Sequence, residues 1–117
     1  MKLPMVQDMA SEPLDAQLSV DVTAEGDQTV ITVSGEVDAA SADSVRNRVL
    51  EAVESGARRL EIDMRDVTFM DSSGLRVLIA GYKAAEASGG SLGVRNPSDV
   101  VLRLLEITGQ KDRFVSA

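Results

Sequence analysis

Leu60-Glu61-Ile62-Asp63-Met64-Arg65-Asp66-Val67-Thr68-Phe69-Met70-Asp71-Ser72-Ser73-Gly74-Leu75 changes period partway along, and that change decides the fold. Leu60, Ile62 and Met64 alternate with Glu61, Asp63 and Arg65, the period of a half-buried strand. From Leu75 onward the apolar residues recur as Leu75, Leu78, Ile79 and Tyr82, which is helical spacing, with Arg76, Lys83 and Glu86 on the wet side. Gly89-Gly90 ends that helix. Asp66 through Met70 follow neither period and read as a lead-in to Asp71-Ser72-Ser73-Gly74, where a strand has finished and a helix begins. A strand feeding directly into a helix is half of a crossover unit, so the chain is expected to build a sheet with parallel pairs.

The flanks agree. Upstream, Leu18, Val20 and Val22 alternate with Ser19, Asp21 and Thr23. After a turn at Glu25-Gly26-Asp27, Val30 to Val37 form a strand rich in β-branched residues, and the two strands read as a hairpin. Val45, Val49 and Ala52-Val53 then share one helix face, with Ser41 as the expected cap, Asp43 in the positive first turn and Gly56 at the stop. Downstream, Ser91 to Arg95 form a short strand. Asn96-Pro97-Ser98-Asp99 starts a third helix with Val101, Leu104, Leu105 and Ile107 as its apolar face. Phe114-Val115 read as a few residues of a last strand. The order β-β-α-β-α-β-α gives an α/β fold, a single domain over residues 17–117 with a mixed sheet, an N-terminal hairpin and crossover helices packed on it. Residues 1–16 carry Pro4, Pro13 and polar side chains without a period, and read as a disordered tail.

Composition narrows the chemistry. The 117 residues contain no His and no Cys, so neither a Ser-His-Asp nor a Cys-His nucleophilic site is possible in this chain, nor a zinc site built on imidazole or thiolate. The net charge of −7 and the 3% of aromatic residues argue against nucleic acid as a partner. No run of about 18 apolar residues is present to insert in a membrane, and the start lacks a secretory signal, so a cytoplasmic protein is expected. Asp63, Asp66 and Asp71 recur near one strand end, where they read as a wet edge in preference to a Mg²⁺ site; no metal and no cofactor is expected.

The Asp71-Ser72-Ser73-Gly74 segment has two readings. It is common helix-capping chemistry. It also places a serine at a helix N-terminus, where free backbone N–H groups and a positive dipole favour an added phosphate. A phosphate there brings about −1.5 to −2 charges to a neutral spot, which makes the segment a candidate binding switch.

Three segments together resemble one family. Val33-Ser34-Gly35-Glu36-Val37-Asp38, followed by a helix, resembles the G-E-[LV]-D segment of STAS domains. Asp66 through Ile79 resemble the D-[LV]-x-[FY]-[ML]-D-S-S-G-[LI] core of bacterial anti-sigma factor antagonists. Ser98 through Gly109 are similar to that family's third helix. The resemblance implies that the unphosphorylated form binds an anti-sigma factor that is also a serine kinase of the histidine-kinase-like ATPase fold, and so releases a sigma factor. It implies that phosphorylation of Ser72 ends binding and that a PP2C-type phosphatase restores it. The resemblance implies Ser72 as phosphoacceptor and puts Asp38 on the contact surface; with Asp71, Ser73 and Gly74 of the same motif, and Arg76 within one turn of Ser72, they make the expected contact residues of a monomer or weak dimer. Asp38 has a second reading, as a turn residue bonded to its own backbone. Arg76 is read as pairing with Asp71 or with a partner's carboxylate.

The chain departs from the family at Gln110, where members usually have Leu, and its C-terminal helix is expected to be missing because the sequence stops at Ala117. The alternative function is a STAS subunit of a lipid- or anion-transport assembly. A small enzyme using Ser72 with Asp71 or Lys83 is set aside, since no Gly precedes Ser72 at the spacing of a nucleophile elbow.

Overall fold

The structure, a computed structural model, describes residues 18–115. The elements are β1 (Leu18–Glu25), β2 (Gln28–Val37), α1 (Ala42–Glu54), β3 (Arg59–Met70), α2 (Ser72–Ala87), β4 (Ser91–Arg95), α3 (Asp99–Ile107) and α4 (Lys111–Phe114). The four strands form one sheet in the order β1-β2-β3-β4. β1 pairs antiparallel with β2 through a two-residue turn, with Leu18 opposite Gly35 and Glu25 opposite Gln28. β2–β3 and β3–β4 are parallel, each joined through a helix. The α/β architecture, mixed sheet and opening hairpin are those the sequence periods predict. The tail expected over residues 1–16 lies outside the described residues.

Aliphatic side chains make the core. Ile31, Val33, Leu60, Ile62, Met64 and Leu78 are each at most 1% exposed. α1 buries Ala42, Val45 and Val49, and α2 buries Val77, Leu78 and Ala85. Removing a side chain of this size from water is worth about 1.5–3 kcal/mol, so a core built mainly of aliphatic side chains needs Phe114 alone as a buried aromatic among the described residues.

β3 is longer than its alternation suggested. It runs without a break through Asp66–Met70, the stretch read as a lead-in. Its buried positions are Leu60, Ile62 and Met64, then Val67 and Met70, so the spacing changes from two to three. The cause is a register shift against β2 at two places. Thr32 and Ser34 face Asp63 and Asp66, and Gly35 and Glu36 face Val67 and Phe69, so β3 carries one extra residue at each place. Each bulge adds a residue without turning the following side chain to the wrong face. Gly35 lies at the second shift with φ 104°, a left-handed backbone that only glycine adopts cheaply.

Three further expectations are corrected. Phe114 belongs to the short helix α4 and not to a last strand. The Tyr82 ring on α2 meets it edge-on, with centroids 5.6 Å apart. Four residues with their own backbone turn place that ring more economically than a strand with no neighbour to pair. Ile107 does not join the apolar face of α3: Val101 and Leu105 are buried, whereas Ile107 is 74% exposed, two positions past Leu105 and round the helix from it. Ser41 does not cap α1 with its side chain. Its hydroxyl instead donates to the Glu36 carbonyl at 2.8 Å and accepts from the Asp38 N–H at 3.0 Å.

Gln110, the departure from the family pattern, precedes α4 with its Oε1 buried and without a hydrogen-bond partner among the described residues. A buried acceptor left unpaired costs about 1–3 kcal/mol. Gln110→Leu is therefore expected to raise stability by about 1 kcal/mol, a gain of about 4–8 °C in Tm by calorimetry for a domain this size. A lower Tm would refute it.

Candidate functional site

The site lies at the carboxyl ends of β2 and β3. The parallel register puts Val37 beside Met70, and the Asp71 N–H donates to the Val37 carbonyl at 3.3 Å. That bond sets the loop after β2, which carries Asp38, next to the start of α2. The loops leaving the carboxyl ends of β2 and β3 both run to helices on one face of the sheet, which brings their residues side by side.

Asp38 folds into its own loop. Its Oδ1 accepts from the N–H groups of Ala40 at 3.0 Å and Ser41 at 3.1 Å, and the Ser41 hydroxyl lies 3.1 Å away. The Asp38 carbonyl also accepts from Ala42 N–H at 2.8 Å. Turn chemistry therefore fixes the residue, while Oδ2 has no hydrogen bond among the described residues.

Asp71 is the cap of α2. It is extended, with φ −118° and ψ −165°, and its Oδ1 accepts from the Ser73 N–H at 2.8 Å. Its carbonyl accepts from Gly74 at 3.0 Å and Leu75 at 3.2 Å. The free N–H groups expected to hold a phosphate are thus mostly engaged, and only the Ser72 N–H is without a bond among the described residues. Ser72 is the first helical residue, exposed, with its hydroxyl in no hydrogen bond among the described residues. Ser73 is half-buried and Gly74 is buried. A Cβ on Gly74 would collide with the Met70 side chain and come 3.0 Å from Val37 Cγ1, so glycine lets the first turn of α2 sit directly on the ends of β2 and β3.

Asp71→Ala is expected to cost about 0.5–2 kcal/mol, because it orphans the Ser73 N–H at a helix start. Asp71→Asn should restore most of it. Thermal melts of the two variants check this, and equal loss in both would count against the capping role.

Arg76 stands exposed one turn after Ser72 and forms no ion pair among the described residues, so the pairing with Asp71 is not made. The three carboxylates read as a wet edge go separate ways: Asp63 accepts from Arg65 N–H and from the Asn96 amide, Asp71 caps α2, and Asp66 is exposed. No group of three or more metal-ligating side chains occurs among the described residues. Nor is any helix among them long and apolar enough to cross a membrane.

Sequence reasoning missed a groove of about 660 Å³ beside Ser73, between α1 and α2, reaching to Arg46 on α1 and to Arg76 and Lys83 on α2. Its signal was present in the spacing Ser73, Arg76, Ala80, Lys83, which repeats every third or fourth residue. The α1 wall, from a separate segment, was not legible.

A four-stranded mixed sheet with an opening hairpin, crossover helices and an acidic-serine helix start after β3 is the architecture of a STAS domain. The sequence matches the family model described as "Mlab, STAS domain" over residues 20–115. It is 38% identical over 95 residues to the anti-sigma-B factor antagonist of Bacillus subtilis (strain 168), covering 81% of this chain and 86% of that protein. It is 33% identical over 81 residues to the anti-sigma F factor antagonist of Paenibacillus polymyxa, covering 68% and 69%. Among solved structures, an anti-sigma factor antagonist from Mycobacterium paratuberculosis superposes with a TM-score of 0.73 at 29% identity, over 84% of this chain and 83% of that one. Unphosphorylated SpoIIAA, also an anti-sigma factor antagonist, has the same fold, with a TM-score of 0.73 at 24% identity over 85% and 88%. The chain belongs to the STAS-domain family of anti-sigma factor antagonists.

Proposed function

We propose that this protein antagonises an anti-sigma factor and that Ser72 is its phosphorylation switch. In this reading the unphosphorylated chain binds an anti-sigma factor that is also a serine kinase, which frees a sigma factor. The kinase phosphorylates Ser72, the complex dissociates, and a PP2C-type phosphatase resets it. The protein is then a regulator and a substrate of enzymes, not an enzyme. The observation that carries the reading is the Ser72 hydroxyl: exposed, unbonded among the described residues, and mounted on a helix start that is itself tied to β2. A kinase needs such a hydroxyl, and a binding surface needs such rigidity. Asp38, Asp71, Ser73, Gly74 and Arg76 surround it on the proposed contact face. The names of the relatives at 38% and 33% identity favour this over a role as subunit of a lipid- or anion-transport assembly.

The test is incubation with the anti-sigma factor kinase of the same organism and ATP, then peptide mapping. One phosphate, on Ser72, is the expected result. Phosphate mainly on Ser73, Thr68 or Ser41 overturns the assignment.

A further inference from the structure

We propose that the groove between α1 and α2 receives an acidic, apolar-faced segment of the anti-sigma factor. This rests on the partner being the one named above, and it concerns how that partner is recognised. The groove is lined by the apolar Ala42, Val77, Ile79 and Ala80 together with the exposed cations Arg46, Arg76 and Lys83. The single carboxylate there is Asp43, 3.7 Å from Arg46. Arg76 and Lys83 form no ion pair among the described residues. The chain as a whole carries −7, so a groove whose lining holds three cations and one carboxylate runs against the general sign of the protein, with Asp38 and Asp71 standing outside that lining at its Ser73 end. Complementary potential selects partners and orients their approach. An acidic segment with an apolar stripe fits both the cations and the apolar side chains of that lining, in the manner of a helix laid in a groove. From Ser73 to Lys83 the α2 wall is about 15 Å long at 1.5 Å per residue, which accommodates about ten residues of a docked helix.

The groove also opens beside the phosphoacceptor, since Ser73 lines it and Ser72 precedes Ser73. A dianion on Ser72 repels an acidic occupant at the groove mouth. It also attracts Arg76, four residues on and so on the same helix face, which withdraws a cation from the occupant. One modification thereby acts twice on the same contact, and the groove supplies a physical reason for the sign of the switch.

The experiment is calorimetric titration of the full chain with the purified anti-sigma factor at 50 and 300 mM salt. Circular dichroism on each variant keeps folding separate from binding. Arg76→Glu/Lys83→Glu is expected to weaken binding about tenfold or more at low salt and to flatten its salt dependence. Ala80→Trp, which plugs the groove and leaves its charges, is expected to weaken binding comparably. Arg103→Glu, exposed on α3, should stay within about twofold. Near-normal affinity in both groove variants overturns the proposal, as does an equal loss in Arg103→Glu. A wild-type dimer that Arg76→Glu/Lys83→Glu dissolves overturns it in favour of a second copy. Tighter binding after Asp8, Glu12 and Asp15 are changed to Lys overturns it in favour of the chain's own acidic N-terminal segment. If phosphorylation of Ser72 abolishes binding while the groove variants bind normally, the groove assignment fails and the switch stands. If the wild type does not bind the anti-sigma factor, both fail.

Discussion

Phosphorylated on Ser72, the chain is expected to bind its anti-sigma factor several hundredfold more weakly while its circular dichroism and Tm stay close to those of the unmodified protein. The cost falls on the complex because Ser72 is exposed in the free domain and a dianion there keeps its water. Binding covers the segment, and the phosphate then loses hydration against whatever the partner set opposite a neutral hydroxyl. Asp71, immediately before it, repels the phosphate weakly while water screens the pair in the free domain and more strongly once a partner excludes that water. A penalty of about 3–4 kcal/mol corresponds to that loss at about 1.4 kcal/mol per tenfold. The fold tolerates the phosphate because the start of α2 has a favourable dipole and the cap is supplied by Asp71, not by the modified residue. For the same reason Ser72→Ala, which removes a hydroxyl without a bond among the described residues, should change stability by no more than about 0.5 kcal/mol and should still bind. Ser72→Asp carries less charge on a shorter arm and should imitate phosphorylation only in part. Calorimetric titration of all four forms reads the affinities. Undiminished binding by the phosphoprotein, or loss of its fold, would sink the switch.

Phe114→Ala is expected to be the most damaging simple truncation near the C-terminal end of the described chain, at about 3–5 kcal/mol. Phe114 is 2% exposed and is the sole aromatic in the buried core of the described residues, although α4, which holds it, has only four residues. Its ring stands at 74° to Tyr82, and the Arg113 guanidinium lies 5.3 Å from the centre of that same Tyr82 ring. Edge-on aromatic pairs add about 0.5–1.5 kcal/mol beyond the area they bury. At about 4–8 °C per kcal/mol the loss lowers Tm by more than about 12 °C, and a drop under about 4 °C would show that α4 does not close the core. Phe69→Ala, at a site 44% exposed on β3, is the matched control and should shift Tm far less.

The contrast between these two phenylalanines shows how far the sequence could be read. Strict alternation in Leu60-Ile62-Met64 and helical spacing in Leu75-Leu78-Ile79-Tyr82 reveal the strand, the helix and their order, because each period has one structural meaning. Met64, Val67 and Met70 recur every three residues, a spacing that belongs to neither element, and the strand they extend became visible only through its pairing with β2. Asp71-Ser72-Ser73-Gly74 was legible as a helix start, yet the division of labour inside it was not. Whether Asp71 or a serine accepts the first N–H depends on the backbone angle of one residue. Asp38 has two readings in the sequence, and its bonds to Ala40 and Ser41 account for its conformation without touching the question of contact. Only the α2 wall of the groove, in the spacing Ser73, Arg76, Ala80 and Lys83, is legible in the sequence, because the other wall comes from a helix on the far side of a strand.

The paired bulges in β3 have a consequence for how such a surface can diverge. Side-chain direction in a strand is binary, so inserting one residue into a regular strand swaps its inside and outside from that point on. A bulge removes the swap: Val67 and Met70 remain inward although β3 has advanced two residues past β2. β3 therefore behaves as a vernier, shifting the helix start along the sheet in single-residue steps against the fixed Asp38 loop while the core is left undisturbed. Two chains of this architecture can share every buried contact and still offer their partners a differently spaced pair of loops.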